Sequence, residues 1–392
     1  MASDGRPQRD AREANLRVLR DCLAAGPMAQ VELAAVSKLS EATVSNLVRI
    51  LVEQGHVHVE PGIRNGRRTR ILSLRDRPAP WYLGIEIART RVRVAAVGHG
   101  ADPAVHAAEI PVPCAYSQAL DTVVELVRGL DEGRGLSPAR LAGAVVAVPG
   151  LVRATSEGAA PDLLGEGYHQ AMGWGSVPLT RDLAEALGTE VTVENDCNLA
   201  ALAEMHAGAG RGHRDFMYVL GHAYVGGGLV LNGRIYRGGG GVAGEFGHTV
   251  VDSGGKSCWC GGRGCLETVV GEAALVEAAG EGRVGRPRDL AQVVSGALAG
   301  DARCRAAITD AGTAIGSVIG AVATPLDLRL AVIGGPLTGA GRLLLDAVRA
   351  RLTAYVGQLH PSTTAVAIAE LGDEAPVRGA ALAAARQAAA PG

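Results

Sequence analysis

The sequence lacks a run of 18 consecutive apolar residues, and its polar, arginine-containing start lacks the basic–apolar–small pattern of a secretory leader. A conventional membrane-spanning helix and a signal peptide are therefore not expected, and the reading is a soluble, cytoplasmic protein with no membrane partner. Cysteine is scarce, with seven in 392 residues. That number does not read as a disulfide framework and suits a reducing compartment. A strong charge of one sign is also missing, since the net charge is −2.

What charge there is lies unevenly. Residues 1–75 carry 12 Lys and Arg against 8 Asp and Glu, a balance of +4, and the remainder carries −6. A basic head on an acidic body is the distribution of a nucleic-acid reader joined to a small-molecule domain. The length exceeds one ordinary core, and 47% of the residues are apolar, enough for two or three domains.

The head reads as a winged helix-turn-helix. Leu16, Leu19 and Leu23 share one helical face, which Gly26-Pro27 ends. A second short helix passes through Val31, Leu33, Ala34 and Ala35. Ser37-Lys38-Leu39 makes a tight break, and Ser40 is placed to cap a third helix. There Val44, Leu47, Val48 and Leu51 form a buried stripe, leaving Ser40, Thr43, Ser45, Asn46 and Arg49 on the polar side. Residues 57–60 and 70–74 follow as hairpin strands, and the loop 61–68 between them brings Arg64, Arg67 and Arg68 to its tip. A polar helix face followed by a basic wing points to a double-stranded DNA partner.

Three of the seven cysteines cluster with a histidine: His248, Cys258, Cys260 and Cys265, separated by Gly-rich turns. Four donors of this kind within 18 positions suit a tetrahedral Cys₃His zinc site. All four positions are filled by protein, so the metal is structural.

The same stretch carries a wider signature. Glu245-Phe246-Gly247-His248 is followed by the cysteine pattern ending Cys265-Leu266-Glu267, an order that resembles the ROK family of repressors and sugar kinases. Glu194-Asn195-Asp196-Cys197-Asn198 resembles the segment in which that family places the general base for a sugar hydroxyl, Asp196 here, next to a sugar-binding Asn, Asn195 here. The resemblance makes Glu245, His248 and Glu267 further sugar contacts, with His248 able to serve metal and sugar at once. It implies an α/β fold: the winged head, residues 1–76, and a two-lobed, actin-like (ribonuclease H-like) body of sugar-kinase type, residues 81–392. Lobe one is expected at about 81–193 plus a returning helix 379–390, and lobe two at about 194–378 with the metal loop. Arg77-Pro78-Ala79-Pro80 reads as a stiff linker.

Departures from the family pattern matter as much. The kinases' first phosphate hairpin resembles D-x-G-G-T, but this chain has Glu86, Ala88, Arg89 and Thr90 there. Their second, G-T-G-x-G-G-G, is replaced by His222-Ala223-Tyr224-Val225-Gly226-Gly227-Gly228. Backbone that must approach a phosphate tolerates these side chains poorly. The Asn usual before Gly173-Trp174 is absent, with His169 and Gln170 standing nearby. The reading is a non-enzymatic regulator, a repressor bound to a roughly palindromic operator as a homodimer or homotetramer, with a sugar or phosphosugar as effector. Two alternatives are an ATP-dependent sugar kinase with a DNA-binding head, and a regulator that no longer binds sugar.

Overall fold

A computed structural model describes residues 6–24, 26–64, 67–75, 80–98, 104–110, 114–134, 140–153, 162–163, 173–174, 177–280, 286–356 and 364–389. The chain divides into two compact units, residues 1–79 and 80–392.

In the first unit, helices α1 (Arg6–Ala24), α2 (Gln30–Ser37) and α3 (Glu41–Glu53) enclose a small core with a three-stranded sheet. Leu19, Leu33, Val44, Leu51 and Leu72 fill it, each at most 1% exposed. A fully buried leucine contributes about 1.5–3 kcal/mol of transfer free energy, so these few residues hold the head together. Lys38 turns the chain between α2 and α3 at φ 57°, and Ser40 then caps α3 by accepting from the Thr43 N–H at 3.2 Å. The sheet joins β1 (Met28–Ala29), β2 (Val57–Arg64) and β3 (Arg67–Leu74) in the order β1-β3-β2. The hairpin is longer than the sequence suggests: residues 61–64 and 67–68, expected in the loop, pair as strand with Arg64 opposite Arg67. Pro61 does not stop it because β2 is an edge strand, where a missing N–H leaves no ladder bond unmade.

The second unit repeats one plan twice. β4 (Trp81–Ile87), β5 (Arg91–Val97) and β6 (Ala104–Glu109) form an antiparallel meander. β7 (Leu141–Val148) and β10 (Val191–Asn195) extend it in parallel, giving the order β10-β7-β4-β5-β6. The short strands β8 (Val152–Arg153) and β9 (Asp162–Leu163) pair separately. In the second sheet β11 (Phe216–Gly221), β12 (Val225–Leu231) and β13 (Arg234–Ile235) make the meander. β14 (Leu330–Gly334) and β15 (Ala365–Ile368) add in parallel, in the order β13-β12-β11-β14-β15. β4 and β14 are buried along their whole length because each is flanked by strands on both sides and covered on both faces.

Helices α4 (Tyr116–Arg134) and α5 (Leu179–Leu187) pack on the first sheet. Between the sheets run α6 (Asp196–Ala207), which follows β10, and the last helix, Ala375–Ala389. The last helix begins ahead of the expected Gly379 because Pro376 fits a helix's first turn. It packs against β4, β5, β7 and α6, so closely that a side chain at Gly84 would strike the backbone of Val377 and Ala381. The 25-residue helix Ala302–Leu326 is long and apolar enough to cross a membrane by composition, yet Ile308, Ile315 and Ile319 sit in the second lobe's core at 0% exposure. The expected linker, residues 77–80, lies outside the described residues apart from Pro80.

Candidate functional site

On α3, Ser45, Asn46 and Arg49 are exposed, and the Arg49 guanidinium donates to Asn46 Oδ1 at 2.9 Å. Ser40 and Thr43 are occupied by capping, with their hydroxyls 2.8 Å apart. The backbones of Arg64, Arg67 and Arg68 lie at the hairpin's end, while their side chains are outside the described residues. Sequence reasoning missed Arg70, an exposed strand residue facing the same groove as Asn46 and Arg49. Its signal was a fourth arginine in the basic hairpin.

His248, Cys258, Cys260 and Cys265 come together in the body. His248 ends a short 3₁₀ turn, Phe246–His248, and the loop after it folds back through paired Val250 and Cys265 and paired Ser257 and Arg263. Gly264 sits at φ 70°, where a Cβ would meet the Asp252 carbonyl, so the return is restricted to glycine. All four ligand atoms lie within 4.8 Å of one another. Cys258 Sγ is 3.6 Å from His248 Nδ1, and Cys260 Sγ is 3.7 Å from Cys265 Sγ. Ligand atoms about 2.3 Å from a tetrahedral metal stand roughly 3.8 Å apart, so the donor set and its spacing fit a metal ion of zinc type. Trp259, between two of the cysteines, stands edge-on to His248 at 4.8 Å between ring centres and donates its indole N–H to Glu267 Oε1.

The acidic residues form a second cluster. Asn195 caps α6: its Oδ1 accepts from the Asn198 N–H at 3.0 Å, and its amide donates to the Gly150 carbonyl at 3.0 Å. Both ends of that side chain are thus used in joining the Pro149-Gly150 turn to the helix. Asp196 follows, accepting from the Cys197 N–H at 2.8 Å, and burial pushes its carboxyl up to about 6. Glu245 is raised to about 7, chiefly by burial and further by the Asp196 and Glu267 carboxylates. Both Glu267 oxygens are engaged, one by Trp259 and one by the Val225 N–H at 3.4 Å. Asp196, Glu245 and Glu267 therefore share one polar wall, with His248 beside it through its backbone bond to the Glu245 carbonyl. Residues 164–172, with His169 and Gln170, lie outside the described residues, while Trp174 is buried and donates to the Cys114 carbonyl at 2.6 Å.

The strands of the first altered hairpin are tied by a buried ion pair. Glu86 and Arg93 pair at 2.8 Å, with side chains 10% and 6% exposed, and burial still raises Glu86 to about 7. Arg93 also donates to the Asp373 carbonyl, and Arg91 pairs with the Asp373 carboxylate at 2.8 Å. On the other hairpin half-buried Tyr224 packs against the first lobe's core, while His222 beside it is exposed. The glycines surviving in β12 have a packing reason of their own, since a Cβ at Gly228 would lie 2.8 Å from the Cys197 carbonyl. Neither the Glu86–Arg93–Asp373 network nor Tyr224's packing had a local sequence signal.

With this geometry in hand, comparison with known proteins is informative. The ROK family profile matches residues 82–387, and that of the MarR family matches residues 13–69. A glucokinase of Halalkalibacterium halodurans is 32% identical over 317 residues, covering 76% of this chain and 93% of the kinase. The DNA-binding transcriptional repressor Mlc of Escherichia coli is 26% identical over 356 residues, 86% of each chain. The crystal structure of a ROK family transcriptional regulator, a homologue of E. coli Mlc, superposes with a TM-score of 0.63 at 22% identity, covering 95% of both chains.

Proposed function

The chain belongs to the ROK family, and from that premise we propose that it is a DNA-binding transcriptional repressor of carbohydrate-related genes. A sugar or phosphosugar held in the body releases it from its operator. The head is residues 1–76 and the body residues 81–392. The observation that carries this reading lies at the two altered phosphate hairpins: Arg93 is engaged by Glu86 and the Asp373 carbonyl, and Tyr224 in the other turn packs its ring against the first lobe's core. A nucleotide phosphate needs open backbone N–H groups in such a place. A repressor needs only differential binding, in which the ligand prefers one lobe arrangement and thereby biases the reading heads. Asn195, Asp196, Glu245, His248 and Glu267 are the proposed effector contacts, and Asn195 also sets the helix that presents Asp196. No catalytic role is assigned.

We further propose zinc at His248, Cys258, Cys260 and Cys265. Bound there, it supplies folding energy to an otherwise irregular loop and fixes the imidazole's orientation. Ser40, Thr43, Ser45, Asn46, Arg49, Arg64, Arg67 and Arg68 are the proposed DNA contacts, with Ser40 and Thr43 also shaping the start of the helix. A cytoplasmic homodimer or homotetramer on a roughly palindromic site completes the proposal, since one head offers too few contacts for tight specific binding.

The test is selection of a duplex site by the full chain from a random library. Release is then measured against a panel of sugars, amino sugars and their 6-phosphates. A selected site released by one panel member supports the reading, and failure to select any site overturns it. A second reading, a sugar kinase with a DNA-binding head, is favoured by the 32% identity to a glucokinase and by the retained Asp196. A third, a regulator answering to something other than a sugar, is favoured by the missing Asn before Gly173-Trp174. Phosphoryl transfer from labelled ATP separates the second from the first, and an operator site that no sugar releases points to the third.

A further inference from the structure

A concave groove of about 610 Å³ runs along the head between α3 and the hairpin. Its floor is apolar, formed in part by Val48 and Leu72, and its rim carries Asn46, Arg49, Glu53 and Arg70. Two arginines on opposite walls against one glutamate make the rim net cationic. A net cationic groove between helix and hairpin fits a nucleic-acid strand, with phosphate against the Arg70 wall and base edges toward the α3 wall.

Within that groove Arg49 is held rather than free, because its guanidinium donates to Asn46 Oδ1 at 2.9 Å on the same helix face. We infer that Arg49, braced by Asn46, reads a guanine in each half-site, and that Arg70 on β3 anchors the backbone of the strand seated in the groove. The inference rests on the DNA-binding reading and assigns roles within it. The chemistry is specific to these side chains. Guanine offers two acceptors, O6 and N7, on its major-groove edge, and a guanidinium presents two parallel N–H groups to match them. Asn46 turns its acceptor toward Arg49, so it acts as a brace rather than as an adenine reader, which needs that acceptor and an amide donor together. Ser40 and Thr43 are committed to the cap, which leaves Arg49 as the long forked donor on this face. Arg70 belongs to the strand wall across the groove, where a point charge on phosphate adds affinity without sequence preference.

The experiment is in vitro selection from a random duplex library with the full chain, for wild type, Arg49→Ala, Asn46→Ala, Asn46→Asp and Arg70→Ala. All four changes are at exposed positions, and circular dichroism checks that each variant is folded. Wild type should show a G·C preference that Arg49→Ala reduces about tenfold to a hundredfold at one position per half-site, leaving the other positions intact. Asn46→Ala should weaken the same position, and Asn46→Asp, which keeps the acceptor, should retain the preference with lower affinity overall. Arg70→Ala should select the same sequence, bind every site more weakly and reduce the salt slope by about one. Undiminished base preference in Arg49→Ala overturns the base-reading role, and a changed sequence preference in Arg70→Ala overturns the anchor role. If wild type selects no site, the DNA-binding reading itself fails, which is a different outcome from either.

Discussion

Trp259 donates its indole N–H to the carboxylate of Glu267 while its ring stands edge-on to His248, 4.8 Å between ring centres. One residue of the metal loop thus touches both a ligand of the proposed zinc and a wall of the proposed effector pocket. The contact gives the loop a way to set the pocket's shape without any ligand touching the metal.

Replacing Trp259 by Phe keeps the ring near His248 and removes the donor to Glu267. The expected result is an unchanged metal content with effector affinity lowered by about 1 kcal/mol, roughly fivefold. That is the discounted value of a charged hydrogen bond whose donor residue is 41% exposed. Calorimetric titration with the releasing sugar, alongside elemental analysis, measures both. Equal effector affinity in the two proteins would disconnect the metal loop from the pocket.

Cys260 is the metal ligand best suited to testing the zinc itself. It is exposed, whereas Cys258 and Cys265 are buried, so Cys260→Ser opens no cavity in the core. A loss of stability in that variant therefore reports the metal. Wild type should hold one zinc per chain and Cys260→Ser substantially less, with a lower thermal midpoint and a protease-sensitive loop around residues 249–265. A zinc-free wild type that melts at the same temperature as Cys260→Ser would rule the site out.

Kinase activity should be absent. Arg93 cannot turn to a nucleotide without giving up its buried pair with Glu86 and its bond to the Asp373 carbonyl. The measurement is phosphoryl transfer from labelled ATP to hexoses and amino sugars. Turnover on the order of 1 s⁻¹, within the ordinary enzyme range, is the contrary result.

The parts of this architecture that sequence reveals are those carried by local period and chemistry. The stripe Val44, Leu47, Val48 and Leu51 is buried as a 3.6-residue repeat requires, and Ser40 caps the helix it precedes. The cysteine spacing brings its four ligand atoms together because glycines make the returns. Residues 61–64, read as loop, pair as strand with Pro61 among them, since edge position is a property of the sheet and not of the residue. Arg93 and Asp373 are 280 positions apart, and only the packed fold brings them together. Asn195 also caps a helix and holds the Gly150 carbonyl, a structural use that no pattern of neighbours displays.

Asp196 supplies the strongest test of the pocket. Burial raises its carboxyl to about 6 from an ordinary 3.8, so the folded chain holds that proton more tightly than the unfolded chain does. Its contribution to stability is therefore full below pH 3.8 and is lost as pH rises through about 6, a change of about 3 kcal/mol at 1.36 kcal/mol per pH unit. Asp196→Asn keeps the acceptor for the Cys197 N–H and removes the titration. The variant should be flatter in stability between pH 4 and 7 and more stable than wild type at pH 7. The ligand response should move oppositely. An ionised carboxylate accepts from a sugar hydroxyl more strongly than an amide does, by about 1.5–3 kcal/mol for one charged bond. Effector potency in wild type should improve as pH rises through 6, and further near 7 as Glu245, a second proposed contact raised to about 7, ionises after Asp196. Asp196→Asn should respond weakly at every pH while holding its DNA site as wild type does. Release curves that coincide for the two proteins at pH 7 would place the effector elsewhere, even if the stability profiles differ as expected.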